Sequence, residues 1–250
     1  MSKISVCMAT RNGEKYIKRQ LESILAQLAP DDEVIISDDS SSDGTVAIIE
    51  GFSDRRIRLY GNNTFFSPIF NLENALKHAC GDIIVLSDQD DVWLENKAAV
   101  IRRELDKPGE GIKLIVLDGL VVDEHETLML ESIFGYKKSS KGLLKNIYDN
   151  TYMGCCMAFT RDLLKIALPF PRNIPMHDMW LGLLAELFGR VEFVQEKTIK
   201  YRRHAASVTD LRRRLDVVKQ IMRRYHLVTS LLGRYLSLKW GRKTVQEKQI

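Results

Sequence analysis

Short apolar runs separated by helix-period segments constrain this chain more than any other feature. Residues 4–9 (ISVCMA), 34–37 (VIIS), 56–60 (RIRLY) and 82–87 (DIIVLS) carry β-branched residues, the signature of strands buried on both faces. Between the runs the period changes. Ile17, Leu21, Ile24, Leu25 and Leu28 recur at three and four, which gives a helix an apolar stripe to lay on a sheet. A second helix begins at Asp43, whose carboxylate can cap free backbone donors, and a third runs through Asn71, Leu72, Ala75, Leu76 and Ala79. Such alternation implies right-handed crossovers and an α/β fold, a Rossmann-like, mostly parallel sheet flanked by helices. Ligands are expected at the carboxyl ends of its strands.

Polar clusters stand at those ends: Thr10-Arg11-Asn12-Gly13 after the first strand, Asp38-Asp39-Ser40-Ser41-Ser42-Asp43-Gly44 after the second, Asp88-Gln89-Asp90-Asp91 after the fourth. Neither GxxxxGK[ST] nor GxGxxG follows any strand, which argues against a P-loop NTPase and a dinucleotide-dependent dehydrogenase. A nucleotide held by carboxylates and a metal is the remaining choice. Asp88 and Asp90 flank Gln89, and alternate residues of an extended chain place both carboxylates on one side. That arrangement suits Mg²⁺ or Mn²⁺, which completes its shell with phosphate oxygens and water. A solvated acidic turn is the plainer alternative. Asp38-Asp39 lies where a nucleotide's base or ribose is met, although Ser40 to Gly44 also reads as a turn capping the next helix.

From residue 112, IKLIVLDGLVVD reads as a strand and the stretch around Lys137, Lys138 and Lys141 as a loop. Asp178 in Pro175-Met176-His177-Asp178-Met179-Trp180 could equally cap the helix that follows it. Gly154-Cys155-Cys156-Met157 reads as a buried segment, and no cysteine pair has zinc spacing. At 250 residues the chain suits one compact unit with an appendage. Residues 211–250 hold 11 Lys and Arg against Asp216 and Glu247. Leu215, Val218, Met222, Tyr225, Val228, Leu232 and Tyr235 keep helical spacing there, so 210–250 reads as a basic amphipathic helical tail. It suits an anionic membrane surface, a face of the catalytic unit or a second subunit in a homodimer. Nucleic acid is not the expected partner, although the arginines alone would allow it. No stretch approaches the ~18 apolar residues of a membrane span, and the N-terminal apolar run is too short for a secretory signal. The expected location is cytoplasmic, peripheral on the inner face of the membrane.

The segments SVCMATRNGEKYI, IISDDSSSDGT, GDIIVLSDQDDVW, HDMW and YRRHAASVT resemble the ordered motifs of the family-two inverting glycosyltransferases, over roughly residues 3–209. SDQDDVW with the later HDMW and YRRH resembles, more narrowly, the bacterial rhamnosyltransferases of O-antigen and capsular polysaccharide synthesis. The resemblance implies a GT-A catalytic domain over 1–209, its nucleotide-sugar half about 1–120 and its acceptor half about 121–209. Ala9, Arg11 and Asp39, with Asp88, Gln89 and Asp90, would hold the nucleotide sugar. Asp88 and Asp90 would form the metal-binding DxD element, Asp90 the direct ligand, with His204 as a further ligand. Asp178 would be the base. His177 would orient it, Trp180 would stack on the acceptor, and Arg202 or Arg203 would meet the leaving diphosphate. The expected donor is dTDP-rhamnose, with another hexosyl or N-acetylhexosaminyl group carried on UDP as the alternative, and the expected acceptor a lipid-linked glycan. Two positions depart from the family pattern: Arg11 stands where Tyr is frequent, and Ser40 where Gly is usual. A nucleotidyltransferase or a non-catalytic nucleotide-sugar-binding protein shares the sheet and the aspartates, but RNGEKY is a poor substitute for the former's Gly-rich loop.

Overall fold

The computed structural model describes residues 1–106, 111–203 and 217–246. Strands β1 (Ile4–Thr10), β2 (Glu33–Asp38), β3 (Ile57–Tyr60) and β4 (Ile83–Ser87) are parallel and lie in the order β3-β2-β1-β4. Every residue of β2 and β4 is buried, as unbroken apolar runs require. The crossovers are α1 (Ile17–Leu25), α2 (Thr45–Gly51) and α3 (Pro68–His78). Ile17, Leu21 and Ile24 of α1 are fully buried, and side chains of this size each contribute about 1.5–3 kcal/mol on leaving water.

The sheet continues past β4 with a change of direction. β8 (Met157–Thr160) runs antiparallel between β4 and β6 (Lys113–Val122), and β9 (Arg190–Arg202) runs parallel to β6. The two-residue β5 (Val92–Trp93) pairs antiparallel with β9, and β7 (Leu128–Leu130) with β6. Among the described residues this makes one nine-stranded, mostly parallel sheet, whose core is continuous from Ile4 of β1 to Ile199 of β9. Register sets the floor of a cleft. Thr10 lies opposite Asp38 and Met8 opposite Ser87, so β1, β2 and β4 end nearly level and their loops open along one edge.

The remaining helices are α4 (Lys97–Leu105), α5 (Ile133–Lys137), α6 (Leu143–Tyr148), α7 (Asp162–Ala167), α8 (His177–Phe188) and α9 (Val217–Gln246). The lysine-rich stretch expected as a loop is a tight turn between two short helices. Ser132 caps α5 by accepting from Gly135 N at 3.0 Å, and the buried Asn146 amide reaches the carbonyls of Ser140 and Gly142. The tail is helical as its spacing predicts, within the described part. Leu227 and Leu231 of α9 are buried, and Tyr235 lies 5.7 Å from the Phe188 ring. The opposite face leaves Val218, Ile221, Met222, Tyr225, Leu232 and Leu236 exposed. No described helix is long and apolar enough to cross a membrane.

Candidate active site

β4 stops at Ser87, and Asp88–Asp91 leaves the strand in a bend held from three sides. The buried Gln20 of α1 donates to Asp88 O at 2.8 Å. Gln89 accepts from Arg11 N at 3.0 Å and donates to Arg11 O at 3.1 Å, tying the ends of β1 and β4 together. Arg202 of β9 donates from Nε to Asp90 O at 2.8 Å, while its backbone N–H donates to Asp91 Oδ1 at 2.9 Å. The bend adds Asp91 to the pair that the period-two reading names. Asp88 and Asp91 each offer a ligand atom within 4.8 Å of the other and of Cys155 Sγ, and the Asp90 carboxylate is near enough for its charge to act on both.

Asp91 is fully buried with Oδ2 left without a hydrogen bond, a costly arrangement unless something binds there. Asp88 meets solvent at the floor of the cleft, yet protein surrounds it closely. Desolvation, then the charges of Asp90 and Asp178, push its carboxyl up to about 7, with Lys97 pulling the other way. Desolvation followed by Asp90 and Asp88 likewise raises Asp91 well above the carboxylate range. Oxygen donors that cannot all ionise without a cation fit a hard divalent ion. The Cys155 thiol is held firmly protonated, by its hydrogen bond with Cys156 and by burial, so it packs beside such an ion more naturally than it ligates one. Asp90 is half-buried on the same bend. His204 lies outside the described residues.

Asp178 stands in the first turn of α8, where the helix dipole favours negative charge. Its Oδ1 accepts from Met179 N at 2.6 Å and from Asn150 Nδ2 at 3.1 Å. Asn150, absent from the sequence-based set, therefore orients the carboxylate in place of His177. The His177 ring packs against Gly154, burial lowers its pKa, and its Nδ1 has no partner. Two expectations are corrected. Trp180 is fully buried, donates from Nε1 to Ala167 O at 3.0 Å and lies under Arg234 of α9, so it is core and not a sugar platform. Arg202 is buried, and its guanidinium is spent on Asp90 O, Glu124 O, Glu126 and the Tyr16 ring, so it braces the bend rather than meeting a diphosphate. Its half-buried neighbour Arg203 reaches the Tyr136 hydroxyl at 3.5 Å.

At the nucleotide end, Ala9 is half-buried opposite Ser37. Asp39 is buried, and its carboxylate accepts from Phe65 N at 2.7 Å and Ser67 N at 3.2 Å. It holds a loop in which Phe66 is exposed at φ +47°, with the Arg11 guanidinium 5.0 Å over its ring. The Arg11 departure thus has a counterpart in Phe66, which nothing in the local pattern singled out. Ser40 has φ +55°, the left-handed conformation that explains a glycine preference there; in an L-residue it costs roughly 1 kcal/mol. Two concavities lie elsewhere, one around Glu186 and Arg190 and one around Trp93 and Lys200, and neither is lined by these carboxylates.

A sheet with carboxylates at the mouths of neighbouring strands, and a further carboxylate facing them from a helix start, suits an α/β enzyme that handles a metal-bound diphosphate. The family model "Glycosyl transferase family 2" matches residues 5–166, and the chain belongs to that family. It is accordingly a glycosyltransferase. Among its relatives, the E. coli UDP-Glc:alpha-D-GlcNAc-diphosphoundecaprenol beta-1,3-glucosyltransferase WfgD is 27% identical over 188 residues, 73% of this chain and 70% of that protein. The Shigella flexneri dTDP-rhamnosyl transferase RfbG is 38% identical over 104 residues, 36% of this chain and 34% of that protein. Residues 1–349 of S. aureus TarS superpose with a TM-score of 0.63 at 24% identity, covering 80% of this chain and 60% of that one. That likeness establishes the GT-A fold alone.

Proposed function

We propose that this chain is a metal-dependent, inverting sugar transferase that acts on a lipid-linked glycan in the building of a bacterial surface polysaccharide. The observation that carries the proposal is the convergence of Asp88, Asp90 and Asp178, close enough for the latter two to shift the ionisation of the first. The first half, about 1–120, takes the nucleotide sugar: Arg11 and Phe66 flank the base, with Asp39 holding their loop. Asp88, Asp90 and Asp91 would hold Mg²⁺ or Mn²⁺, which when bound supplies charge neutralisation for a leaving diphosphate. In the acceptor half, about 121–209, Asp178 takes the proton of the attacking hydroxyl while Asn150 fixes its orientation.

The donor proposed first is dTDP-rhamnose, supported by the short RfbG match. UDP-glucose is the second reading, favoured by the longer match to WfgD, whose name also specifies an undecaprenol-linked acceptor. The outer face of α9, with exposed Leu144 and Tyr148 of α6 and the lysines beside them, would rest on an anionic membrane and bring the cleft to that acceptor. Each Lys or Arg near such a surface contributes about 1 kcal/mol.

Thermal shifts with dTDP, dTDP-rhamnose, UDP and UDP-glucose, each with and without Mn²⁺, test the donor. A ligand at a hundredfold excess over its Kd adds about 2.7 kcal/mol to stability. Stabilisation that requires Mn²⁺ and selects one nucleotide is expected, and indifference to all four would sink the reading. Asp178→Asn should keep nucleotide affinity within about twofold while turnover falls at least about a hundredfold. Persistent turnover would remove Asp178 from the role of base.

A further inference from the structure

A lysine at the start of a helix, as in WLENKAAV, ordinarily points into water. Lys97 is instead fully buried, and a buried ammonium costs several kcal/mol unless its surroundings compensate. Its Nζ donates to Cys155 O at 2.7 Å and lies 4.8 Å from the Trp93 ring centroid. That hydrogen bond goes to a neutral carbonyl and not to a carboxylate. Burial opposes the charged form of Lys97, while Cys156, Cys155, Asp91 and Asp88 favour it; reciprocally, the ammonium favours ionised Asp88. A built-in cation therefore shares the interior with the Asp88 and Asp91 carboxyls and the Cys155 thiol beside them.

Such a charge acts in two directions. It repels a free divalent cation approaching Asp88 and Asp91, and it attracts a diphosphate. We propose that Lys97 is a positioning residue that keeps the affinity of these carboxylates for free Mg²⁺ or Mn²⁺ low, so that the cation is held firmly only together with a nucleoside diphosphate. By anchoring Cys155 O it also ties the start of α4 to the turn that backs His177 and Asp178, where a Cβ on Gly154 would lie 2.9 Å from His177 Nε2. The inference rests on the metal reading made above.

The test is Mn²⁺ binding by the full chain, read from the electron paramagnetic resonance signal of unbound Mn²⁺ at fixed pH, with and without UDP or dTDP. Wild type should bind Mn²⁺ at least about tenfold more tightly when nucleotide is present, a size reasonable for one charge at an effective dielectric of about 20. Lys97→Met, which keeps the stem and removes the charge, should tighten binding of Mn²⁺ alone by about tenfold and shrink the nucleotide dependence. Lys97→Arg should stay close to wild type. A purely structural lysine would give the opposite sign, because a loosened bend binds Mn²⁺ more weakly. Unchanged or weaker Mn²⁺ binding by a folded Lys97→Met protein overturns the proposal. If that variant does not fold, wild type alone decides: equal Mn²⁺ affinity with and without nucleotide also overturns it. Failure to bind Mn²⁺ under any condition would instead overturn the metal reading.

Discussion

Gln89 serves the site with a single amide, its oxygen on Arg11 N and its nitrogen on Arg11 O. The two loops can approach so closely only because residue 13 is glycine, where a Cβ would lie 2.4 Å from Gln89 Oε1. Gly13→Ala should push Gln89 aside. The clash is with the end of a flexible side chain, so stability should fall by no more than about 1 kcal/mol, while the KM for donor rises several-fold with kcat less affected. Steady-state kinetics beside a melting curve measure both, and an unchanged KM would show that the bridge does not position the donor. Asp39 acts in the same manner, through the loop it holds.

At the scale of elements, β9 ties the second half of the molecule to the first, and α9 braces the second half itself. β9 brings Arg202 under the carboxylate bend, and α9 brings Arg234 to the carbonyls of Ile166, Leu168 and Pro169 at 2.7–2.9 Å, stacked over Trp180. Hydrogen bonds from a charged donor contribute about 1.5–3 kcal/mol each when intact, and not additively. Arg234→Ala should therefore destabilise the fold by roughly 2–4 kcal/mol with little effect on KM, because the residue faces the core behind α8. A denaturant titration would reveal it. A loss below about 0.5 kcal/mol would mean that α9 rests on the catalytic body without bracing it.

For the molecule as a whole, the raised Asp88 and Asp91 carboxyls set a pH dependence. The unfolded chain releases these protons in the ordinary carboxylate range, whereas folded Asp88 holds its proton up to about 7. Between those values the folded state binds more protons, so this contribution to stability is present at low pH and is lost as pH rises through about 7. In EDTA, wild type should lose melting temperature from about pH 5 to 8 relative to Asp88→Asn, and Mn²⁺ with nucleotide should abolish the difference. At limiting Mn²⁺, activity should rise through about pH 7, because proton and cation compete for one oxygen. Parallel melting curves in EDTA would place the Asp88 carboxyl in the ordinary range.

Period and punctuation were enough to read β1 to β4, the helices between them and the edge where their polar clusters stand, because a strand buried on both faces and a helix with one apolar stripe are local patterns. Asp39, Asp88 and Asp178 were legible because each lies at a strand end or a helix start. The tertiary structure alone decided which oxygens meet. The bend after Ser87 added Asp91 to Asp88 and Asp90, α9 covered Trp180, and β9 engaged Arg202. Asn150, Phe66 and Lys97 sit far along the chain from the groups they touch, and long-range packing leaves no periodic trace in a sequence.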